Sequence, residues 1–512
     1  LSKIYSGGYI DRASSNLKGY FLQGSYYEDR TNIKFIAFGG HERTYQAWYG
    51  LDQETLSTNR QFNYAGMFFN DNGDQFFYDK QEDNYKQDHY QLIFNHKINP
   101  SWRANLTFHY THGRGYYEEY NEDQNLSDYL IFDNNGEVIS DLVRRKWLDN
   151  DFYGSLFNFI YEKSSSKLIL GGTLNKYFGD HFGEVIWARN AGNSEIRHRY
   201  YDNYGNKEEF NLFAKFQHTF NDKLYAFVDL QNRNINYDAE LIGGNNINKS
   251  FNFFNPKAGL YYKLNLNNEF YFSFARAHRE PTRTDYENGN PFPEKLDDFE
   301  LGWKHKGKKS IYNINLYFMD YNDQLVLTGE RDDVGYYIRA NVGESYRAGI
   351  EFDGIFFIND YFTIKPNITF SSNKNNDYLT QFDGSLRNFG KTDISFSPNL
   401  IFGNTVEYNL NSKTLLFFNT KYVGKQYMSN TNVDSSVLAS YLVNDLGLNY
   451  NFSIPGFSQD SELKLLVNNL LNQKYESYGG HYFYDIDNKT YSGSYFYPMA
   501  EINFLLGLDF NF

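Results

Sequence analysis

The chain has 512 residues, enough by length alone for two or three soluble domains. It contains no cysteine, which excludes disulfides and thiolate metal sites, and its net charge of −14 argues against a nucleic-acid partner. Mean hydropathy is −0.67 and no apolar run reaches the roughly 18 residues of a membrane-crossing helix, yet aromatic residues make up 20% of the chain. A lipid-facing strand is apolar only at alternate positions, so its average looks soluble. Tyrosine and tryptophan gather at both membrane interfaces, and an aromatic-rich chain of low hydropathy suits that environment.

In chain order, Leu1 opens on what reads as the middle of a strand, without a signal peptide, and a fragment is expected over 1–10. A descending strand within 4–27 and an ascending one within 32–48 follow. Trp102, Ala104, Leu106, Phe108 and Tyr110 then alternate with Arg103, Asn105, Thr107, His109 and Thr111. The same period of two recurs at Leu224, Ala226, Val228 and Leu230, at Tyr312, Ile314, Leu316 and Phe318, and at Phe362, Ile364, Pro366, Ile368 and Phe370. In each set the named residues are expected to face lipid. Pro366 removes a ladder donor, and a bulge is expected there. The last strand sets Ile502, Phe504, Leu506, Leu508, Phe510 and Phe512 against Glu501, Asn503, Leu505, Gly507, Asp509 and Asn511. No segment has a helical period.

Connections come in two kinds that take turns. Short ones include Asn99-Pro100-Ser101, Ser164-Ser165-Ser166, Asn221-Asp222, Gly307-Lys308-Lys309, Asn359-Asp360 and Asn411-Ser412-Lys413. Long polar ones span 50–85, 121–149, 188–207, 237–249, 284–295, 328–336, 373–390, 426–436 and 477–493. Tight turns on one side and long loops on the other are the asymmetry of an outer-membrane barrel. The expected fold is therefore all-β, an antiparallel transmembrane β-barrel occupying 1–512. Counting gives about nineteen complete strands and a fragment, and an even, closed count of about 22 in the parent protein places two to three strands before Leu1.

A barrel of about 22 strands has a plugged lumen. The chain resembles the barrel of TonB-dependent outer-membrane receptors of the Bacteroidota type. The matching stretches are GYIDRASSNLKGYFLQGSYY (8–27), FGGHERTYQAWYG (38–50), THGRGYYEEY (111–120), FNPKAGLYYKL (254–264), FSFARAHREPTRTDY (272–286), PEKLDDFELGWKHK (293–306), NVGESYRAGIEFDG (341–354) and VNNLLNQKY (467–475). The resemblance implies active uptake across the outer membrane of a scarce ligand, most commonly a ferric siderophore or other iron complex. It implies an N-terminal plug and a TonB box upstream of Leu1, and energy from the TonB–ExbB–ExbD complex. Cobalamin and haem are alternative cargoes, glycans rank lower, and a surface lipoprotein partner is compatible. A passive outer-membrane channel, an assembly barrel and an adhesin or phage receptor are the competing classes.

Loop-proximal cationic and aromatic residues are the ligand candidates: Arg114, Tyr116 and Tyr117; Arg279, Arg283 and Tyr286; Tyr337 and Arg339; His481 and Tyr482. Arginine offers paired donors to carboxylate or catecholate oxygens, and tyrosine a flat amphipathic contact. A girdle or lumen role competes with ligand binding for each. Eleven histidines are scattered, and the closest pair, His109 and His112, is three apart, on opposite faces of a strand. Asn70-Asp71-Asn72-Gly73-Asp74 and Asp133-Asn134-Asn135-Gly136-Glu137 place hard oxygens together and suggest loop calcium, although both also read as turns. No other cofactor is expected. No nucleophile elbow or H-E-x-x-H is present, so no enzyme is expected.

Overall fold

The computed structural model describes residues 1–70, 72–133, 136, 138–242, 246–331, 337–382, 385–487 and 489–511. Its large antiparallel sheet has 21 strands. Ser2–Ser6 is a five-residue piece and Thr392–Asp393 a two-residue piece, leaving nineteen longer strands. The only α-helices among the described residues are Gln53–Thr58 and Arg283–Glu287, both within connections, and no helix is long and apolar enough to cross a membrane.

One local device builds many of the short turns. Asn99 Oδ1 accepts from the backbone N–H groups of Ser101 and Trp102 at 2.9 and 3.0 Å. Asn221 does the same to Lys223 and Leu224, and Asn359 to Tyr361 and Phe362. Asn411 and Asn265 each receive one such bond. An asparagine side chain that mimics a backbone turn reverses a strand in few residues.

The chain divides into two compact units. The first comprises 1–49, 61–217 and 229–255. In it Ser15–Glu28, Thr31–Tyr45, Glu82–Lys97, Trp102–Asn125, Ile139–Lys163 and Ser166–Ala188 pair in sequence. On Trp102–Asn125 the exposed apolar side chains are Phe108 and Tyr110, as the alternation requires. Trp102 packs on Tyr161 at one margin (5.0 Å), and Tyr90 stacks on Tyr110 at the other (6.2 Å). The eight steps between Trp102 and Tyr110 span about 27 Å, close to the roughly 25 Å apolar band of an outer-membrane barrel with its aromatic girdles.

The second unit comprises 50–60, 218–228 and 256–512. From Asn268–Arg279 the long strands pair in sequence to Ser458–Asn468, which pairs with Asn503–Asn511. Leu316 lies between Leu301 and Ile350, and all three are exposed on the apolar face. The opposite face carries aromatic rings laid flat on neighbouring glycines. A Cβ added to Gly302 would stand 2.0 Å from the Tyr271 ring, and one on Gly447 2.0 Å from that of Phe417.

Several expectations are corrected. The segment 4–27 is not one strand: the chain reverses over 7–14 through Gly8, whose φ of 75° and close approach to Ala13 O (2.4 Å from a Cβ) require glycine. Pro366 causes no bulge. It keeps register with Asn404 on one side, and on the other the ladder omits two pairs between Asp353↔Asn367 and Phe356↔Ile364 without a shift. Much of 121–149, 188–207 and 237–249 is strand, because Trp102–Asn125, Ile139–Lys163, His198–Thr219, Leu224–Glu240 and Asn246–Asn265 run on past the apolar band, where both faces are polar and alternation gives no signal. Other long connections hold hairpins of their own, Leu325–Arg331 with Tyr337–Asn341, Leu379–Phe382 with Ser385–Asn388, and Glu476–Ile486 with Lys489–Pro498. Phe512 lies outside the described residues.

Candidate functional site

The candidates lie at the long-loop end in both units. In the first, the face that carries the apolar band turns charged immediately beyond Tyr110, whose hydroxyl donates to Asp151 at 2.7 Å. Arg114 Nε lies 3.3 Å from Asp149, and its guanidinium stands 5.3 Å over the Trp147 ring. Tyr116 is the register partner of Trp147, with centroids 4.6 Å apart, and Arg145 covers the Tyr116 ring at 4.2 Å. Arg114 and Tyr116 are thus brought together, but by strand parity they share the face of Phe108 and Tyr110. Tyr117 points the other way and meets Trp48 edge-on at 5.6 Å. Trp147, Phe182 and Arg199, absent from the sequence candidates, extend the row: Trp147 stacks on Phe182 at 5.7 Å and Arg199 covers Phe182 at 3.8 Å. Cross-strand register would reveal this row, but a single strand's pattern cannot.

Below the row, buried Glu118 and Glu119 pair with Arg145 and Arg144 at 2.7 and 2.9 Å, and Tyr78 donates to Glu118 at 2.6 Å. Burial opposes charge on Arg144, but the Glu119 carboxylate outweighs it and holds the guanidinium above its ordinary range. Leu126, Tyr129, Ile131, Leu142 and Val185 form a small apolar core over these pairs. The connection is a packed structure.

In the second unit the predicted arginines are staples. Arg279 pairs with Glu294 at 3.0 Å and donates to Leu325 O, while Leu325 N donates back to Glu294. Arg283 pairs with Glu287 one helical turn on, at 2.8 Å. Arg339 lies 3.6 Å from Asp285, a buried carboxylate that forms a capping box with Thr282. Burial raises the Tyr286 phenol above its usual range. The side chain of Tyr337 lies outside the described residues. The connections are also knitted by buried amides: Asn430 donates to Leu327 O at 2.9 Å and accepts from Ser395 N at 2.9 Å, and Asn375 donates to Asn430 and Thr392.

The hairpin Glu476–Ile486/Lys489–Pro498 separates the last two candidates onto opposite faces. His481 is wholly buried, bonded through Nδ1 to Ser494 Oγ at 2.7 Å, and meets Phe483 edge-on at 4.8 Å. Burial pushes its pKa down to about 4, so it is a neutral interior residue. Tyr482 stands on the other face with Tyr484, Tyr491 and Tyr495. Tyr482 stacks on Tyr484 (6.1 Å) and Tyr495 (6.3 Å), and Tyr484 on Tyr491 (5.8 Å). Gly493 faces Tyr482 and Gly480 faces Tyr495, where a Cβ would fall 2.4 and 2.1 Å from the rings. Removing two side chains from the ladder lets the rings lie flat. Tyr482, Tyr484 and Tyr491 remain 41%, 46% and 41% exposed. The Tyr/Gly alternation of 478–497 carried this signal.

No group of three or more potential metal ligands occurs among the described residues. In the first calcium candidate Asn70 Oδ1 is engaged by the N–H groups of Asn72 and Asp74, as in a turn. Asp71, Asn134, Asn135 and Glu137 lie outside the described residues.

No curated sequence matches the chain. The solved structures that follow match at 16% identity or less, which bears on the fold alone. The ferric-catecholate import receptor Fiu from Escherichia coli K12 in its closed form matches with a TM-score of 0.67 and 16% identity, covering 100% of this chain and 76% of that one. The siderophore receptor PiuA from Acinetobacter baumannii matches at 0.71 and 13%, covering 97% and 74%, and the unliganded ferric citrate transporter FecA at 0.70 and 14%, covering 98% and 70%. The family model for the TonB dependent receptor-like β-barrel matches residues 25–470. With its antiparallel strands, apolar band and girdles, the chain belongs to the β-barrel family of TonB-dependent outer-membrane receptors, a family of transporters rather than enzymes.

Proposed function

We propose that this receptor takes up a ferric siderophore, or a similar iron chelate with aryl groups, by TonB-driven displacement of a plug. The short-turn end then faces the periplasm and the long-loop end the exterior. The observation that carries the ligand class is the tyrosine ladder of 478–497. It offers three exposed rings in line, Tyr482 lying over Gly493 and Tyr484 and Tyr491 stacked on each other across the hairpin, whereas Arg114, Arg279, Arg283 and Arg339 are already committed to carboxylates. A flat chelating arm gains by stacking on such rings, about 0.5–1.5 kcal/mol for each aromatic pair. Relatives named as ferric-catecholate, siderophore and ferric citrate receptors support the same class.

The test is binding of a ferric catecholate to the full-length protein and to a variant with Tyr482→Ala, Tyr484→Ala and Tyr491→Ala. Three lost contacts should weaken binding by roughly tenfold or more. Equal affinity in the two proteins would remove the ladder from the site.

A further inference from the structure

At the short-turn end of the second unit, on the polar face, cross-strand register sets out a charged row: Lys263↔Glu269↔Lys304↔Asn313↔Asp353. Lys263 and Lys304 are two strand spacings apart, about 10 Å, and Lys223 adjoins them, its carbonyl accepting from Lys263 N at 2.7 Å. One rung towards the long-loop end, Tyr225, Tyr261 and Tyr271 form a row with centroids 5.5 and 5.6 Å apart. Tyr271 is fixed by its hydroxyl on Asn315 (3.0 Å) and by Gly302 beneath its ring. Lys304 Nζ stands 4.9 Å from the Tyr271 centroid and 5.6 Å from that of Tyr261. The charged row, with Lys223, lines a concavity of about 780 Å³, within the range of small-molecule sites.

Four lysines, Lys223, Lys263, Lys304 and Lys306, line the concavity against three carboxylates, Asp222, Glu269 and Asp353, in a chain of net charge −14, and these lysines form no ion pair among the described residues. The ring faces hold the Lys304 cation without consuming its N–H donors. We infer that this concavity is a binding site for a small multiply charged oxyanion, such as a polycarboxylate, at the end opposite the tyrosine ladder. Lys263 and Lys304 grip it from either side, and Glu269 limits its affinity so that the ligand leaves. The role of an exit station for cargo rests on the uptake reading, while the site itself does not.

The test is acetylation of lysines in the full-length protein by an N-hydroxysuccinimide ester, read by mass spectrometry, with citrate as the probe at constant ionic strength. Citrate should slow labelling of Lys263 and Lys304 saturably, at least fivefold, and leave Lys413 and Lys167 at other short turns unchanged. Glu269→Gln should shift protection to lower citrate concentration, and Lys304→Gln should abolish it at Lys263. Equal protection of Lys413, the same protection by sodium chloride, or none, would overturn the site. Protection in a protein that fails to take up iron would keep the site and discard the uptake reading.

Discussion

Leu316→Arg tests the assignment of the sheet's two faces. Leu316 is 45% exposed in the apolar row with Leu301 and Ile350, midway along the band of Tyr312, Ile314 and Phe318. An arginine there lies near the bilayer midplane and should cost about 2–4 kcal/mol, roughly 30- to 700-fold in the folding equilibrium. Asn315, the residue before it, is a poor control despite facing the lumen, since it is 7% exposed and accepts the Tyr271 hydroxyl at 3.0 Å. Asn367→Arg is the better one, because Asn367 is exposed on the polar face over Gly403, and it should change stability by no more than about 0.5 kcal/mol. The assay is urea-dependent folding into phospholipid vesicles, followed by heat-modifiable gel mobility. Equal losses in Leu316→Arg and Asn367→Arg would refute the face assignment.

Other outcomes follow from particular contacts. Gly302→Ala should cost about 1–3 kcal/mol by overpacking against Tyr271, and far less in a Tyr271→Ala background, which a double-mutant cycle in the same assay would show. Asp285→Ala removes the capping box and strips Arg339 of its carboxylate, so the helix Arg283–Glu287 should lose about 1–2 kcal/mol, seen as faster amide exchange over 280–294. The folded pKa of His481 lies near 4, below the unfolded value of 6.5, so the unfolded hairpin binds more protons between those values. Its contribution is complete above about pH 6.5 and is lost as pH falls towards 4. Exchange over 476–498 should rise through that window, and His481→Phe should flatten the dependence.

The apolar face was legible because lipid imposes the same choice at every second residue, and Phe108, Tyr110, Leu316 and Phe318 are exposed as that pattern requires. The short turns were legible because asparagine at their first position does the turning itself. Beyond the band, water meets both faces and alternation disappears, so the strand extensions around Asn121 and Arg144 read as loop. The site was harder for a related reason. Arginine in a loop is chemically suited both to a ligand and to a neighbouring carboxylate, and sequence does not reveal that Glu294 or Asp285 is the neighbour. His481 and Tyr482 are adjacent yet one is interior and the other exposed, a consequence of hairpin parity that the flanking Tyr/Gly alternation foreshadows.

The most direct measurement is uptake of a ⁵⁵Fe-labelled ferric catecholate by cells carrying the full-length gene, with and without a functional TonB. Active transport predicts accumulation that depends on TonB and on the proton gradient, and that falls when the tyrosine ladder is replaced by alanine. Entry that is unchanged without TonB, or a steady large conductance of the full-length protein in planar bilayers, would contradict the account and leave a passive channel.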